Sequence, residues 1–308
     1  MKNILKRLET DFMDSIFIQI VAYRDLELVP TVEEAITHAT HPERLSFGIC
    51  WQYGTNEEKD YISKLKGIKD CRIIAIPASE ARGVGWARSL VQKLWQKEDY
   101  TLQIDAHMRF LPGWDVKLIK MLEMCPSEKS ILSTYPPAYK PPRELVGDTP
   151  SRLEANQFGD AGTLTLRGIG DLSKCRTPQL GTFVAAGFIF ANGSIITEVP
   201  YDPEIYFTGE EVLFAVKAWT RGWDIYHPNS SVCWHFYNTG KKRVVHWEDH
   251  QDWWVQNRVS ESRFRQILEM EPAKEDFGIY GLGNVRSLAE YEALAGVSFK
   301  ERWFIRFI

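Results

Sequence analysis

Long hydrophobic runs are missing from this chain. No stretch approaches the roughly 20 apolar residues that a membrane-spanning helix needs. The opening segment, Met1 to Asp11, is charged and too short of apolar length for a signal peptide. Cysteine is sparse: Cys50, Cys71, Cys125, Cys175 and Cys233 are scattered, with no Cys-x-x-Cys pair among them. An odd, dispersed set argues against a disulfide framework and fits reduced thiols, so a cytoplasmic protein is expected. Positive charge is not in excess, with 37 Lys and Arg against 41 Asp and Glu and a net charge of −4. Bulk electrostatics therefore give no reason to expect nucleic acid. The local exceptions are Lys241-Lys242-Arg243 and the cations Lys140, Arg143, Arg152, Arg167, Lys174 and Arg176. There are no internal repeats, no low-complexity tail and no Gly-Lys-Ser/Thr phosphate loop.

Aromatic residues, by contrast, are plentiful, at 11 Trp, 12 Tyr and 16 Phe in 308 residues. Such side chains serve large cores and also sugar-binding clefts, where an apolar face and a polar edge are both needed. Ser15–Tyr23 is a near-continuous apolar run rich in β-branched residues, as a buried parallel strand should be. A helix follows to about Thr40, with Thr31 as a candidate N-cap and Glu34 completing a capping box. Strands are expected at Leu45–Trp51, Cys71–Ile76 and Tyr100–Asp105, with a helix from about Trp86 to Lys97 between the last two. This alternation indicates an α/β fold with a mostly parallel sheet. Residues Ser127 to about Gly181, which include Tyr135-Pro-Pro-Ala-Tyr-Lys-Pro-Pro142, read as long loops carrying short strands, because proline removes donors and fixes φ. Strand character resumes from Thr182 to Phe190. A helix spans Gly209–Arg221 with Gly222 past its end, strands follow at Ile225-Tyr226 and Ser231–His235, and a helix covers about His250–Met270.

Asp105-Ala106-His107 ends one of these strands. Residues i and i+2 of a strand share a face, and ligands gather at the C-terminal ends of parallel strands. A carboxylate and an imidazole there suit a divalent ion such as Mn²⁺, which can hold a diphosphate. Taken alone, Asp105 also serves as a turn cap and His107 as a half-buried histidine. Arg82-Gly-Val-Gly-Trp-Ala-Arg88 feeds a helix N-terminus, where glycines and the dipole favour phosphate. Arg88 suits phosphate, uracil or ribose, or simply a solvated helix face. Glu210 and Glu211 open a helix, where the dipole alone favours acids. His235 ends a later strand and is a third ligand candidate or a core histidine, with His227 and His246 as weaker competitors. Trp51, Trp86, Phe207 and Trp234 are candidates for stacking on sugar or uracil.

Further motifs complete the set: Val21-Ala-Tyr-Arg24, Phe207-Thr-Gly-Glu-Glu211, Trp234-His-Phe-Tyr237, Tyr280-Gly-Leu-Gly-Asn-Val-Arg-Ser-Leu-Ala-Glu-Tyr-Glu292 and Gly296-Val-Ser-Phe299. Together these resemble the cytosolic polypeptide N-acetylglucosaminyltransferases typified by the enzyme that modifies hydroxyproline on the ubiquitin-ligase subunit Skp1. They are more distantly similar to the mucin-type polypeptide N-acetylgalactosaminyltransferases. The resemblance implies one GT-A domain, with a mixed, mostly parallel central sheet covered by helices on both faces. It divides into a Rossmann-like nucleotide-sugar half at about 12–125, an acceptor and metal half at about 126–240, and a helical extension at about 241–308. It implies Mn²⁺ (or Mg²⁺) on Asp105, His107 and His235. A UDP-sugar donor, UDP-N-acetylglucosamine first, would lie against Ala22, Tyr23, Arg24, Arg82, Arg88 and Asp105. Glu210, Glu211 and Asp105 would stand at the reaction centre, the configuration would be retained by a front-face route, and the acceptor would be a polypeptide hydroxyl. A glycan or a modified DNA base is the alternative acceptor, and a non-catalytic sugar-nucleotide-binding module the alternative function. A two-metal phosphohydrolase would want more clustered carboxylates. Residues 136–180 carry no readable acceptor motif, and neither a lectin domain nor a secretory anchor is read, which favours the cytosolic branch.

Overall fold

The computed structural model describes residues 14–237 and 243–306, so the charged N-terminal segment and Lys241-Lys242 lie outside the described residues. The first part alternates: β1 (Ile16–Tyr23), α1 (Leu28–His38), β2 (Leu45–Tyr53), α2 (Asn56–Tyr61), β3 (Cys71–Pro77), α3 (Val84–Gln92) and β4 (Tyr100–Asp105). A tight turn leads to β5 (Met108–Phe110), α4 (Trp114–Glu123) and β6 (Ser130–Ser133). The proline-rich middle carries β7 (Ala138–Lys140), β8 (Glu144–Val146), β9 (Arg152–Phe158), β10 (Leu164–Ile169) and β11 (Gln179–Gly181). Then come β12 (Phe188–Asn192), α5 (Ile195–Glu198), α6 (Glu210–Thr220), β13 (Asp224–His227) and β14 (Cys233–His235). The remainder holds α7 (His246–Asp249), α8 (Trp253–Ile267), α9 (Leu288–Ala295) and the pair β15 (Val297–Ser298) and β16 (Trp303–Phe304).

Eight strands form the central sheet in the order β11-β13-β6-β12-β4-β1-β2-β3. β1 lies parallel to β2 and β4, β2 to β3, and β6 to β13. β12 runs antiparallel between β4 and β6, and β11 antiparallel to β13. The sheet is mixed, as the resemblance implies. Period-two alternation in β1 explains why helices cover both faces. Ile16, Ile18, Ile20 and Ala22 pack with α1 and α4, whereas Phe17 packs with α3 in the cluster that also takes α6, α8 and α9. β5, β14, β7 and β8 form a second sheet, and in the first sheet Val21 of β1 sits beside Asp105 of β4.

Several local expectations are corrected. Thr31 is not an N-cap: α1 begins at Leu28, and Thr31 is fully buried inside it. Its hydroxyl donates to the Ala106 carbonyl (2.8 Å) and accepts the Met108 amide (2.8 Å), a tertiary demand that overrides local capping. Glu34 pairs with Arg143 at 2.7 Å instead of closing a capping box. α3 is shorter than expected, ending at Gln92, and α8 starts at Trp253. Residues 182–187 turn before β12 rather than extending it, and Ser231–His235 yields only the strand 233–235, in the second sheet. Among the described residues no helix is long and apolar enough to cross a membrane.

Candidate active site

The end of β4 carries Asp105, and the turn to β5 carries His107. Thr31 grips both sides of that turn, so the backbone around His107 is anchored to α1. β5 pairs with β14 in the register Met108↔His235, which brings His235 to the same point from 128 residues away. His235 Nε2 lies 3.1 Å from Asp105 Oδ2 and 2.9 Å from His107 Nε2. His107 Nε2 is 3.9 Å from the same carboxylate oxygen. One ligand atom from each residue thus falls within 4.8 Å of the others. Gly187 closes one side: a Cβ there would come within 2.6 Å of Asp105 Oδ2.

The donor set fits a divalent cation. Two imidazole nitrogens facing each other at 2.9 Å require a proton or a cation between them. Burial lowers the pKa of His235, which favours the neutral ring with a lone pair to offer. Burial works to raise Asp105, but the His235 hydrogen bond and the charges of the histidines and Arg88 hold it well below the usual carboxylate range. Oxygen plus imidazole donors match Mn²⁺, and Mg²⁺ less well.

Behind the triad lies a buried ion network. Arg88, only 3 % exposed, places Nε 2.6 Å from Glu210 Oε1 and Nη2 3.5 Å from Asp105 Oδ1. Burial opposes its charge, yet Glu210, Tyr201 and Asp105 raise its pKa above the ordinary value. Arg88 is therefore neither on a solvated helix face nor on the cleft wall. Glu211 accepts the Tyr135 hydroxyl (2.7 Å) and the Ala186 amide (2.9 Å). Burial pushes its carboxyl up to about 7, against the pull of those two hydrogen bonds.

A cleft of about 280 Å³ opens on the triad, and Val21, Tyr23, Gln52, Tyr206, Phe207 and Trp247 are among its walls. Tyr23 lines it with its hydroxyl on Asp249 (2.7 Å). Arg24 is held by Glu58 and Asp249, both at 2.9 Å, and the Ala22 side chain is in the core. Arg82 is exposed, over the Trp86 ring at 5.8 Å. Of the aromatic candidates, Phe207 is 51 % exposed and faces the cleft. Trp51 and Trp234 are core residues whose indole N–H groups donate to the Glu58 and Gly147 carbonyls. His227 is fully buried and held near the Ser133 carbonyl, and burial lowers its pKa to about 4. His246 stands on the cleft wall between Tyr206 and the Ala81 carbonyl.

The sequence pattern does not single out Asp25, Tyr135, Gly187 or Arg243, all of which meet the site. Asp25 Oδ2 lies 2.8 Å from His107 Nδ1, and Arg243 packs on the ring nitrogens of the same histidine. Asp25 had one available signal, its place just past the end of a strand adjacent to β4. The others are brought in by loops.

The model of a glycosyltransferase family described as "Glycosyltransferase (GlcNAc)" matches residues 15–66 and 59–301. The chain belongs to this family. Among solved structures it is similar to GalNAc-T7 with UDP, GalNAc and Mn²⁺, at 15 % identity and a TM-score of 0.62 over 94 % of this chain. It is also similar to S. aureus TarS 1–349 in complex with UDP-GlcNAc, at 10 % identity and a TM-score of 0.51 over 92 % of this chain. The chain spans 56 % of the GalNAc-T7 chain and 70 % of the TarS chain. At these identities the likeness is one of fold. No curated protein sequence matches the chain.

Proposed function

We propose that this protein is a metal-dependent, retaining glycosyltransferase that moves N-acetylglucosamine from UDP-N-acetylglucosamine to a hydroxyl acceptor. The observation that carries the reading is the convergence of Asp105, His107 and His235 on one point in the cleft, at the C-terminal ends of β1 and β4. The family supplies the sugar, and the GalNAc-T7 and TarS structures, with UDP, GalNAc and Mn²⁺ in one and UDP-GlcNAc in the other, support the donor and the ion.

Mn²⁺, or Mg²⁺, bound by Asp105, His107 and His235 would neutralise the diphosphate as it leaves. Arg88 acts from behind, keeping Asp105 ionised and aimed. The bond from the anomeric carbon to the UDP oxygen breaks, and its electron pair leaves with UDP. The acceptor oxygen bonds to that carbon on the same face, and its proton passes to the departing diphosphate. The engagement of the nearby carboxylates supports this front-face route over a covalent sugar–enzyme intermediate. Asp25 is held by His107, Glu210 by Arg88 and Glu211 by Tyr135 and Ala186, leaving no unengaged nucleophile among these described carboxylates. Glu211 sits one hydrogen bond from the Ala186-Gly187 backbone that packs on Asp105, which favours it over Glu210 for a role near the acceptor.

We place the nucleotide half at about 12–125, the acceptor and metal half at about 126–240, and the helical extension beyond. The five free cysteines fit the reducing cytoplasm. The polypeptide acceptor, of the Skp1-type hydroxyproline class, rests on the motif resemblance. A DNA acceptor is disfavoured because three of the six loop cations are spent internally, in the pairs Lys140–Glu144, Arg143–Glu34 and Arg167–Glu154.

The test is UDP release from a panel of sugar nucleotides with Mn²⁺ or EDTA, followed by mass spectrometry of protein, glycan and DNA fractions. UDP-N-acetylglucosamine should be the best donor, EDTA should abolish release, and D105A should lose about 100-fold or more. A D105A variant as active as wild type would sink the site assignment.

A further inference from the structure

Asp25 belongs to none of the motifs above. It lies two residues past the end of β1, in the turn before α1, and its side chain is only 10 % exposed. Its two oxygens are divided between two tasks. Oδ1 accepts the backbone amide of Glu27 at 2.9 Å, which fixes the carboxylate plane. Oδ2 is thereby turned toward His107 Nδ1, 2.8 Å away. The approach is not an accident of a loose loop, because both partners are anchored. Asp25 follows a strand in register with β4, and Thr31 of α1 grips the backbone on either side of His107.

A neutral imidazole carries one N–H. An ionised carboxylate accepts and does not donate, so Oδ2 requires that the proton be on Nδ1. Nε2 is then left with its lone pair, and Nε2 is the atom that faces Asp105 Oδ2 and His235 Nε2. His235 offers the contrast: its Nδ1 is buried with no hydrogen-bond partner among the described residues. The orienting contact falls on one imidazole of the two. Arg243 is the cation beside this pair: its Nη1 lies 3.4 Å from Oδ2, farther than His107 Nδ1, and packs on both ring nitrogens of His107.

We infer that Asp25 is a positioning residue of the metal centre, holding His107 in the tautomer and ring orientation that present Nε2 to a divalent cation. The inference rests on the metal reading of Asp105, His107 and His235. Carboxylates behind metal-bound histidines commonly govern metal affinity by 10–100-fold.

Mn²⁺ titration calorimetry on the full chain tests it, with melting of the metal-free proteins recorded alongside. D25A should raise the Mn²⁺ Kd about 10–100-fold. D25N keeps an acceptor oxygen but loses the charge, so its Kd should fall between those of wild type and D25A. D105A serves as the reference for a lost ligand. A role confined to folding would move the melting temperature and leave the Mn²⁺ Kd unchanged; equal Kd values for wild type, D25N and D25A would overturn the inference. Should D25A fail to fold, D25N decides, with about a threefold or greater rise in Kd in favour and an unchanged value against. Wild type that takes up no Mn²⁺ would overturn the metal reading itself, and this inference with it.

Discussion

The guanidinium of Arg88 bridges two carboxylates, with Nε 2.6 Å from Glu210 Oε1 and Nη2 3.5 Å from Asp105 Oδ1. It connects α3 to α6 and to the end of β4, so Asp105 and the first acid of α6 share one buried counter-charge. A pair this deeply buried contributes little as a pair, but removing one member leaves an uncompensated charge.

Removing that counter-charge should therefore be severe. R88A is expected to destabilise the fold by about 3–5 kcal/mol, measured by urea denaturation. The double variant R88M/E210L should cost clearly less than R88A, because only Asp105, which keeps its contact with His235, then loses the counter-charge. An R88A midpoint within about 1 kcal/mol of wild type would show that water or a rearranged partner compensates Glu210.

Glu211 predicts a pH effect. Its folded pKa of about 7 is raised above the value near 4.3 of an unfolded glutamate, so the folded state favours the protonated form. The stability this contributes is present below about pH 4 and is lost as pH rises through 7. The ceiling is about 4 kcal/mol for a shift of this size. E211Q keeps a neutral side chain at all pH values. It should match wild type near pH 4 and exceed it near pH 8 in thermal melts; parallel melting curves at both pH values would contradict this.

Gly187 offers a way to disturb Asp105 without touching a ligand. A Cβ at this position meets Asp105 Oδ2 at 2.6 Å and so must displace the carboxylate. Gly187 has no left-handed φ, so alanine brings no backbone strain of that kind. G187A should weaken Mn²⁺ binding by about tenfold or more while the metal-free protein unfolds at nearly the wild-type temperature. Wild-type Mn²⁺ affinity in G187A would show that the carboxylate has room to move.

Much of this arrangement was legible in the sequence. The apolar runs of β1, β2 and β4 are strong period signals, and Asp105-Ala-His107 falls at a strand end. The distant His235 was reachable only through the motif set, because its approach depends on the β5–β14 pairing. What escaped is tertiary. Thr31 carries a good capping signature yet is buried to hold the turn at His107. The antiparallel direction of β12 leaves no mark on its composition. Arg88, at a helix start near glycines, looks like a phosphate ligand, and its burial follows from Glu210, 122 residues away. Trp51 and Trp234 show why aromatic content alone does not indicate a sugar site: both indoles serve the core.

The central claim is that Asp105, His107 and His235 hold a divalent ion that binds the diphosphate of a UDP-sugar. Its most direct measurement is UDP binding by calorimetry, with Mn²⁺ and with EDTA, on wild type and H235A. EDTA should weaken UDP binding to wild type by at least about tenfold, and H235A with Mn²⁺ should bind as weakly as wild type with EDTA. UDP affinity in wild type that is the same with Mn²⁺ and with EDTA would contradict the claim.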